Sequence, residues 1–446
     1  MSNAHTPFVR RADLSRVWSL AWPLILSNLT VPLVGAVSTG VIGHLDDPAY
    51  LGGVALGTLV FNYVYWAFGF LRMGTTGLAS QAYGGQAVDE VRAVLARALI
   101  LAALFGGLVT LMREPIAAAA LALLDGSAVV QGHAHDYFAI RALAAPFALA
   151  NIALLGWFLG LQNTRYGLIQ QVVINGLNAL LSVWLVYGAG LDVEGVAWAA
   201  VIGQVAGLAV GIVLARRMLR RIGGHLDKSG LFDLARLKAM VAVNRDIFIR
   251  TICLLTGTAF FMDRSAALGE VALAANAVLM VFQTLSAYAM DGFAQATEAV
   301  VGKAIGARDG RQLDIAVRAG TVCALLVAVL AAAVYALFGG YIIDLLTGIE
   351  SVRDAANAHL IWAVLLPVAS IWAFQLDGIF IGATRTAEMR NAMIASLLAF
   401  VAAGLPLVHL FGNDGIWAAY VAFMGARAVT LYLYYPRIRA LTGRGP

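Results

Sequence analysis

The sequence is poor in charge. Of 446 residues only 12% are Asp, Glu, Lys or Arg, while 61% are hydrophobic, and mean hydropathy is +0.82. A soluble domain carries about 25% charged and about 45–50% apolar residues. So few charges cannot cover a water-facing surface of this size, which excludes an ordinary soluble enzyme and a disordered chain. Cysteine is scarce as well. Cys253 and Cys323 are the only two, both in apolar runs, where they read as small core side chains and not as a disulfide framework or metal pair. The seven histidines are scattered, mostly in tails and loops, without the spacing of a metal site. A Gly-x-x-x-x-Gly-Lys-Ser/Thr phosphate loop is missing, and so is a soluble stretch large enough for an ATPase; ATP is therefore not the expected energy source. Neither a His-Glu-x-x-His helix nor a Gly-x-Ser-x-Gly elbow occurs, so an intramembrane hydrolase lacks its machinery. No enzyme activity, metal or cofactor is expected.

What the sequence does have is apolar length. A helix needs about 20 apolar residues to cross about 30 Å of hydrocarbon. Twelve segments meet this, at about 17–43, 51–82, 95–122, 138–162, 166–190, 195–215, 246–268, 271–301, 316–345, 357–383, 391–411 and 415–436. Most of the 46 Gly and 10 Pro fall within them, as membrane helices tolerate. The first segment follows Arg10, Arg11 and Arg16, lacks a small-residue cleavage site and is too long for a signal-peptide core, so it reads as a retained span.

The net charge of +5 resembles a nucleic-acid signal only until its distribution is read. With the N-terminus placed in the cytoplasm, 23 of the 30 basic residues fall on the cytoplasmic side. Arg113, Arg264 and Arg353 fall opposite, and Arg72, Arg141, Arg250 and Arg427 lie within or at the ends of spans. This is the positive-inside bias of a chain with both termini cytoplasmic, and one span missed or invented would destroy it. The expected setting is a bacterial inner (cytoplasmic) membrane, with the bilayer and no nucleic acid as partner.

The chain also repeats itself. Gln81-Ala-Tyr-Gly-Gly resembles Lys303-Ala-Ile-Gly-Ala at an offset of 222, and Pro146 pairs with Pro367 at 221. Gly156-Trp-Phe-Leu-Gly160 pairs with Gly378-Ile-Phe-Ile-Gly382 at 222, and Glu194-Gly195 with Asp414-Gly415 at 220. Six spans separate the copies, so the halves share one topology and are expected to be related by a pseudo-twofold axis along the membrane normal. The division expected is an N-lobe at 1–220, a cytoplasmic amphipathic linker at 221–245 and a C-lobe at 246–446. In the linker, Leu231, Leu234, Leu237 and Val241 recur at helical spacing, which predicts an interfacial helix from Ser229 onward. Two bundles on one connection can rock about a central cavity, the mechanical requirement of alternating access. Small-residue spacing, such as Gly203-x-x-x-Gly207-x-x-x-Gly211, supplies close helix packing.

Ionisable groups inside spans are costly and are commonly retained for use. Asp377 stands in the tenth span, Asp291 and Glu298 lie two turns apart on one face of the eighth, and Arg72 is in the second. The three acids are candidates for cation coupling, with Glu298 also placed to pair Lys303. Arg72 and Arg427 are the candidate charge partners. Trp66, Met73, Phe282, Trp372 and Phe374 are candidates for a substrate cavity, while Tyr432, Tyr434 and Tyr435 read as an interfacial belt.

Several of these stretches resemble the multidrug and toxic compound extrusion (MATE) family, in its DinF-like subgroup. They are Pro32-Leu-Val-Gly with Val41-Ile-Gly-His-Leu, Leu71-Arg-Met-Gly-Thr-Thr-Gly-Leu, Ala287-Tyr-Ala-Met-Asp-Gly-Phe-Ala and Asp377-Gly-Ile-Phe-Ile-Gly-Ala-Thr-Arg. The resemblance runs from about residue 14 to 440. It implies an all-α integral membrane fold (the MATE or MOP-superfamily fold) of twelve transmembrane helices in two six-helix lobes. It also implies a monomer that exports small amphiphilic, often cationic compounds against H+ or Na+, with H+ preferred. This sequence departs from the pattern at one site. Where the subgroup's first and fifth spans carry aspartates it has Ser38 and Ser182; Asn178 is kept, and Ala200 replaces a threonine. The resemblance thus implies an N-lobe cation site that has lost both carboxylates, with coupling shifted to the C-lobe acids. A lipid or lipid-linked-precursor flippase, or an uncoupled facilitator, is the alternative.

Overall fold

In lipid every backbone N–H and C=O must be satisfied within its own segment, and the chain folds accordingly. The computed structural model describes residues 9–45, 47–226, 231 and 233–443, and these contain helices and no strand. The first six apolar segments form α1 (Arg11–Ile42), α2 (Pro48–Ala67) with α3 (Phe70–Gly84), and α4 (Val88–Leu111) with the short α5 (Arg113–Leu121). They continue as α6 (Ala128–Ala142) with α7 (Ala145–Gly160), α8 (Thr164–Val183) with a wide turn over Trp184–Gly188, and α9 (Asp192–Ile222). The last six form α10 (Leu234–Ala267), α11 (Glu270–Gly306), α12 (Gly310–Leu346), α13 (Glu350–Ala358) with α14 (Leu360–Gly382), and α15 (Thr386–Ala440).

Nine of the described helical stretches are individually long and apolar enough to cross a bilayer, and the α6–α7 pair, bent by 57°, makes a tenth. The twelve expected segments are reached through two long helices. α10 carries the seventh segment behind a charged first turn. α15, at 55 residues, carries both the eleventh and the twelfth, broken at Gly412 (φ 56°, ψ −128°). That left-handed backbone suits glycine, and a side chain at Gly415 would overlap the Leu407 carbonyl. The bend between α6 and α7 falls just before Pro146, a residue without an N–H to give.

Two compact units result. One holds residues 26–244; the other holds 245–443 together with the start of α1 through Ile25. The expected division is 1–220, a linker at 221–245 and 246–446; here the described residues of 221–244 group with the first half, and the start of α1 groups with the second. The first turns of α1 fold with the second half, Trp18 lying 5.2 Å from the Phe293 ring and Ile25 filling the space beside Gly292. Hydropathy marks where a span begins but not which bundle its ends join. The expected linker helix is described only from its second part on. Leu234 to Val241 form the first turns of α10 and run without a break into the seventh span. Ser229, Gly230 and Phe232 lie outside the described residues, as do Lys228 and Arg444.

Inside the units the sequence repeat becomes a repeat of contacts. In residues 26–244, α7 lies on α3 with Gly156 against the Arg72 backbone and Gly160 2.9 Å from the Thr76 carbonyl, both measured from where a Cβ would stand. In the other unit, α14 lies on α11 with Gly378 against the Ala294 backbone and Gly382 against the Glu298 carbonyl. The offset of 222 that separates the glycines also separates their partners. On α9, Gly203 and Gly207 meet Ile174, and Gly211 meets Gln170, so the glycine stripe seats α9 on α8.

Candidate functional site

Three helices of the second unit bring their charges to one point. Arg250 stands four residues into the segment that begins at 246, Asp377 six before the end at 383, and Arg427 nine before the end at 436. At about 1.5 Å per residue each lies about 6–14 Å inside the same end of the bundle, so the three depths agree. Arg427 is 2% exposed, Asp377 6% and Arg250 8%. Both guanidinium groups donate to one carboxylate oxygen, Oδ2 of Asp377. Arg427 Nη2 reaches it at 2.8 Å, and Arg250 Nη2 also bonds it. Arg427 further contacts the Met424 sulfur at 3.1 Å and lies over the Phe423 ring. The Nε–H of each arginine is buried and has no hydrogen-bond partner among the described residues.

The triad carries a formal charge of +1. With two guanidiniums on its Oδ2, Asp377 lies in a cluster of net positive charge, which repels a cation such as Na+. The cluster is instead a tie between α10, α14 and α15. Closer to the end of the same unit, Asp246 takes Arg390 at 2.7 Å and Arg245 at 3.1 Å. Nearby, Glu388 takes Arg385 at 3.5 Å and Arg437 at 3.6 Å.

The other coupling candidates sit on α11. Glu298 is buried, and its carbonyl faces Gly382 of α14. Asp291 is half-buried within electrostatic reach of Tyr288. α14 is fixed to α11 by Gln375, whose Nε2 donates to Thr297 Oγ1 at 2.7 Å. The Asp377 side chain turns away from that contact, toward α10 and α15. Arg427 is the charge partner the sequence suggested. Arg250 is the partner it did not single out, although Asp246-x-x-x-Arg250, an acid and a base one turn apart at the head of an apolar span, was the available signal. Arg72 is half-buried on α3, its carbonyl accepting from Thr76 Oγ1 at 2.8 Å.

In the first unit the positions expected to form a degenerate cation site are Ser38, Asn178, Ser182 and Ala200, none of them charged. Ser182 is fully buried and its Oγ donates to Asn178 Oδ1 at 3.2 Å. Ala200 lies on α9, the helix packed on α8, and Ser38 is buried on α1. Of the cavity candidates, Trp66 and Trp372 are exposed and Met73 and Phe374 are half-buried. Phe282 is fully buried with its ring 4.8 Å from Tyr335; it belongs to the packed core, not to a cavity wall. Apolar side chains of both kinds look alike in sequence. A buried polar set that the sequence did not indicate joins α7, α8 and α9. Asn151 donates to Gln204 Oε1, and Gln170 donates to Asn151 Oδ1, both at 2.8 Å.

Comparison with known proteins agrees with this arrangement. The MatE family model matches twice, at residues 23–184 and 247–409, one copy for each half of the repeat. The chain is 44% identical to the DNA damage-inducible protein F of Escherichia coli (strain K12) over 423 residues, covering 94% of this chain and 92% of that one. A probable multidrug resistance protein NorM of Bacillus cereus is 24% identical over 412 residues, covering 90% and 89%. Among solved structures, a MATE protein in the straight conformation superposes with a TM-score of 0.86 at 19% identity over the whole of both chains. A MOP superfamily transporter from Pyrococcus furiosus gives 0.84 at 19% identity over 99% of both, and its description reports a binding pocket of reverse polarity. These two likenesses concern the fold, twelve membrane helices in two lobes. With two copies of the family model along most of its length and a relative of this identity, the chain belongs to the MATE family of multidrug and toxic compound efflux transporters.

Proposed function

We propose that the protein exports small amphiphilic compounds by H+ antiport, and that Asp377 is the group that exchanges the proton. What carries this reading is the shared oxygen of Asp377, a single carboxylate holding arginines from two other helices. A proton on Asp377 removes the negative charge from between two guanidiniums. Two unpaired cations a few ångströms apart then repel, which frees α10 and α15 to part from α14. Loss of the proton restores the tie. Protonation therefore has a different free energy in the closed and open states, which is what coupling requires. Sodium is the weaker choice, because the net positive charge of the triad repels it. Ser38, Asn178, Ser182 and Ala200 have no titratable group, and can only hydrogen-bond or line the path of a substrate or water. Asp291 and Glu298, on the helix beside α14, are the secondary candidates. The protein is expected to work as a monomer in a bacterial inner membrane.

The test is efflux of a fluorescent amphiphile from proteoliposomes under an imposed pH gradient. The wild type should respond to the gradient, and Asp377→Asn should not. Asp377→Asn combined with Arg250→Gln restores the net charge of +1 while leaving no proton acceptor, so it should fold and still be inactive. Gradient-driven efflux retained by either variant sinks the reading. Lipid scrambling alone would favour the flippase, and transport indifferent to pH the facilitator.

A further inference from the structure

The repeat fills one place in the first unit and leaves it open in the second. The offset of 222 holds down to the backbone: Gln86 and Arg308 share a left-handed φ of 56° and 53°, and α4 and α12 begin just after them at Val88 and Gly310. On α4, Arg97 is 2% exposed. Its guanidinium bonds the two Glu90 carboxylate oxygens at 2.8 and 3.2 Å and the Leu231 carbonyl at 3.4 Å, and Glu90 also takes Arg236. At the offset of 222, Gln312 stands for Glu90 and Ala319 for Arg97. A methyl group in place of a buried guanidinium leaves room. The second unit has a cavity of about 260 Å³ there, and both Gln312 and Ala319 line it.

The walls of this cavity say what suits it. Its charged wall is Asp13 and Arg16 of α1, Lys303 of α11 and Asp309 at the N-cap of α12; Val17, Val300 and Ala316 are on its apolar wall. Backbone N–H groups fix both carboxylates. Asp309 Oδ1 accepts from Arg311 and Gln312 at 2.9 Å each, and Asp13 Oδ2 from Arg10 at 3.0 Å. Lys303 and Arg16 lie within electrostatic reach of each other. Two bases and two acids sum to zero, so a simple anion meets the carboxylates and a simple cation the bases; a group carrying both signs satisfies the set. Lys303 follows the eighth apolar segment, which ends at about 301, and Ala316 opens the ninth. The charged wall therefore stands at the level of lipid headgroups and the apolar wall at the edge of the hydrocarbon. Arg16, Ala307 and Gln312 on the lining are exposed, so the cavity is reached from outside the protein.

We propose that this cavity holds the head of a zwitterionic phospholipid with a primary ammonium, phosphatidylethanolamine. Arg16 and Lys303 take the phosphate, Asp13 and Asp309 the ammonium, and the first part of the acyl chains lies against Val17, Val300 and Ala316. The lipid brings from outside the pair of charges that Arg97 and Glu90 supply in the first unit, and it ties the start of α1 to α11 and α12. The site makes no use of Asp377, so it stands or falls independently of proton coupling.

The probes are dilauroyl phosphatidylethanolamine, phosphatidylcholine and phosphatidylglycerol, which share their chains and differ in the head. Native mass spectrometry follows their binding to the full chain, stripped of lipid in detergent. The wild type should take up one phosphatidylethanolamine saturably, about tenfold or more tighter than either other lipid. Choline has no N–H to donate and glycerol no charge, and a charge-assisted hydrogen bond is worth about ten- to a hundredfold in affinity. Asp13→Asn with Asp309→Asn keeps an oxygen for each backbone N–H but leaves two bases, and should turn the preference to phosphatidylglycerol. Arg16→Gln with Lys303→Gln leaves two acids and should weaken phosphatidylethanolamine about tenfold or more. Gln312→Glu with Ala319→Arg rebuilds the pair of the first unit inside the cavity and should exclude the lipid. Equal binding of the three lipids by the wild type overturns the proposal, and is what four charges paired only with one another would give. So does phosphatidylethanolamine affinity unchanged in any of these double variants that folds. Phosphoethanolamine without chains, displacing the lipid at equal concentration, would make a soluble zwitterion the ligand and overturn it too. Should a double variant not fold, the wild-type ranking and the remaining variants decide.

Discussion

At the scale of single residues, the charge sum of the Arg250–Asp377–Arg427 cluster orders the effects of its mutants. Removing one partner of a buried ion pair costs about 3–5 kcal/mol, chiefly because the remaining charge is stranded. Asp377→Asn leaves two guanidiniums and a local charge of +2, the worst case. Arg250→Gln leaves the neutral Arg427–Asp377 pair at 2.8 Å, and should cost well under half as much. The double variant carries +1, as the wild type does, and should recover most of the loss. Thermal unfolding in one detergent gives the ranking, and Arg250→Gln as the least stable of the three would refute it. The sequence made Asp377 visible, since a carboxylate in the run Ile371 to Ile381 stands out against its neighbours. It could not pair that acid with Arg250, because the bond joins residues 127 apart. Local periodicity has no access to that distance.

At the scale of elements, glycine marks where helices touch and where they do not. Gly156 and Gly378 are pressed on the backbones of Arg72 and Ala294, so a methyl group there must push two helices apart. Gly107 on α4 and Gly176 on α8 have nothing within 4 Å of where a Cβ would stand, and each carries only the entropic cost of glycine in a helix, about 0.5–1 kcal/mol relative to Ala. Gly156→Ala and Gly378→Ala should therefore lower the unfolding midpoint, by similar amounts because the contact is repeated. Gly107→Ala and Gly176→Ala should raise it slightly. Thermal denaturation of the four variants checks both signs, and a stabilised Gly156→Ala would contradict the packing. The paired glycines were legible because they recur at one offset. The break at Gly412 was not, since that glycine is one of 46 and only its φ distinguishes it. The fusion of the linker helix with the seventh span was equally hidden. Polar residues between Leu234 and Arg245 lower hydropathy without ending a helix.

At the scale of the whole molecule, the distribution of basic residues predicts the orientation of every helix at once. With 23 basic residues on one side and three on the other, the positive-inside bias predicts both termini in the cytoplasm and the loops near Arg113 and Arg353 outside. The chain lends itself to cysteine mapping, because Cys253 and Cys323 are free and buried or half-buried, so replacing both with Ser gives a silent background. In that background Ser127→Cys, at the N-cap of α6, and Gly348→Cys, just before α13, occupy exposed positions on the sparse side. Ala307→Cys and Thr442→Cys lie on the side rich in arginine. A membrane-impermeant maleimide added to intact cells, with the outer membrane permeabilised, should label the first two and spare the second two. Detergent should then expose all four. Because an even number of spans separates Ser127 from Gly348, the two must report the same side whatever the absolute orientation. Labelling of one without the other would mean that the span count is wrong. Labelling of Ala307→Cys and Thr442→Cys in place of the first pair would keep the twelve spans but invert the molecule, and would overturn the orientation predicted from the arginine distribution.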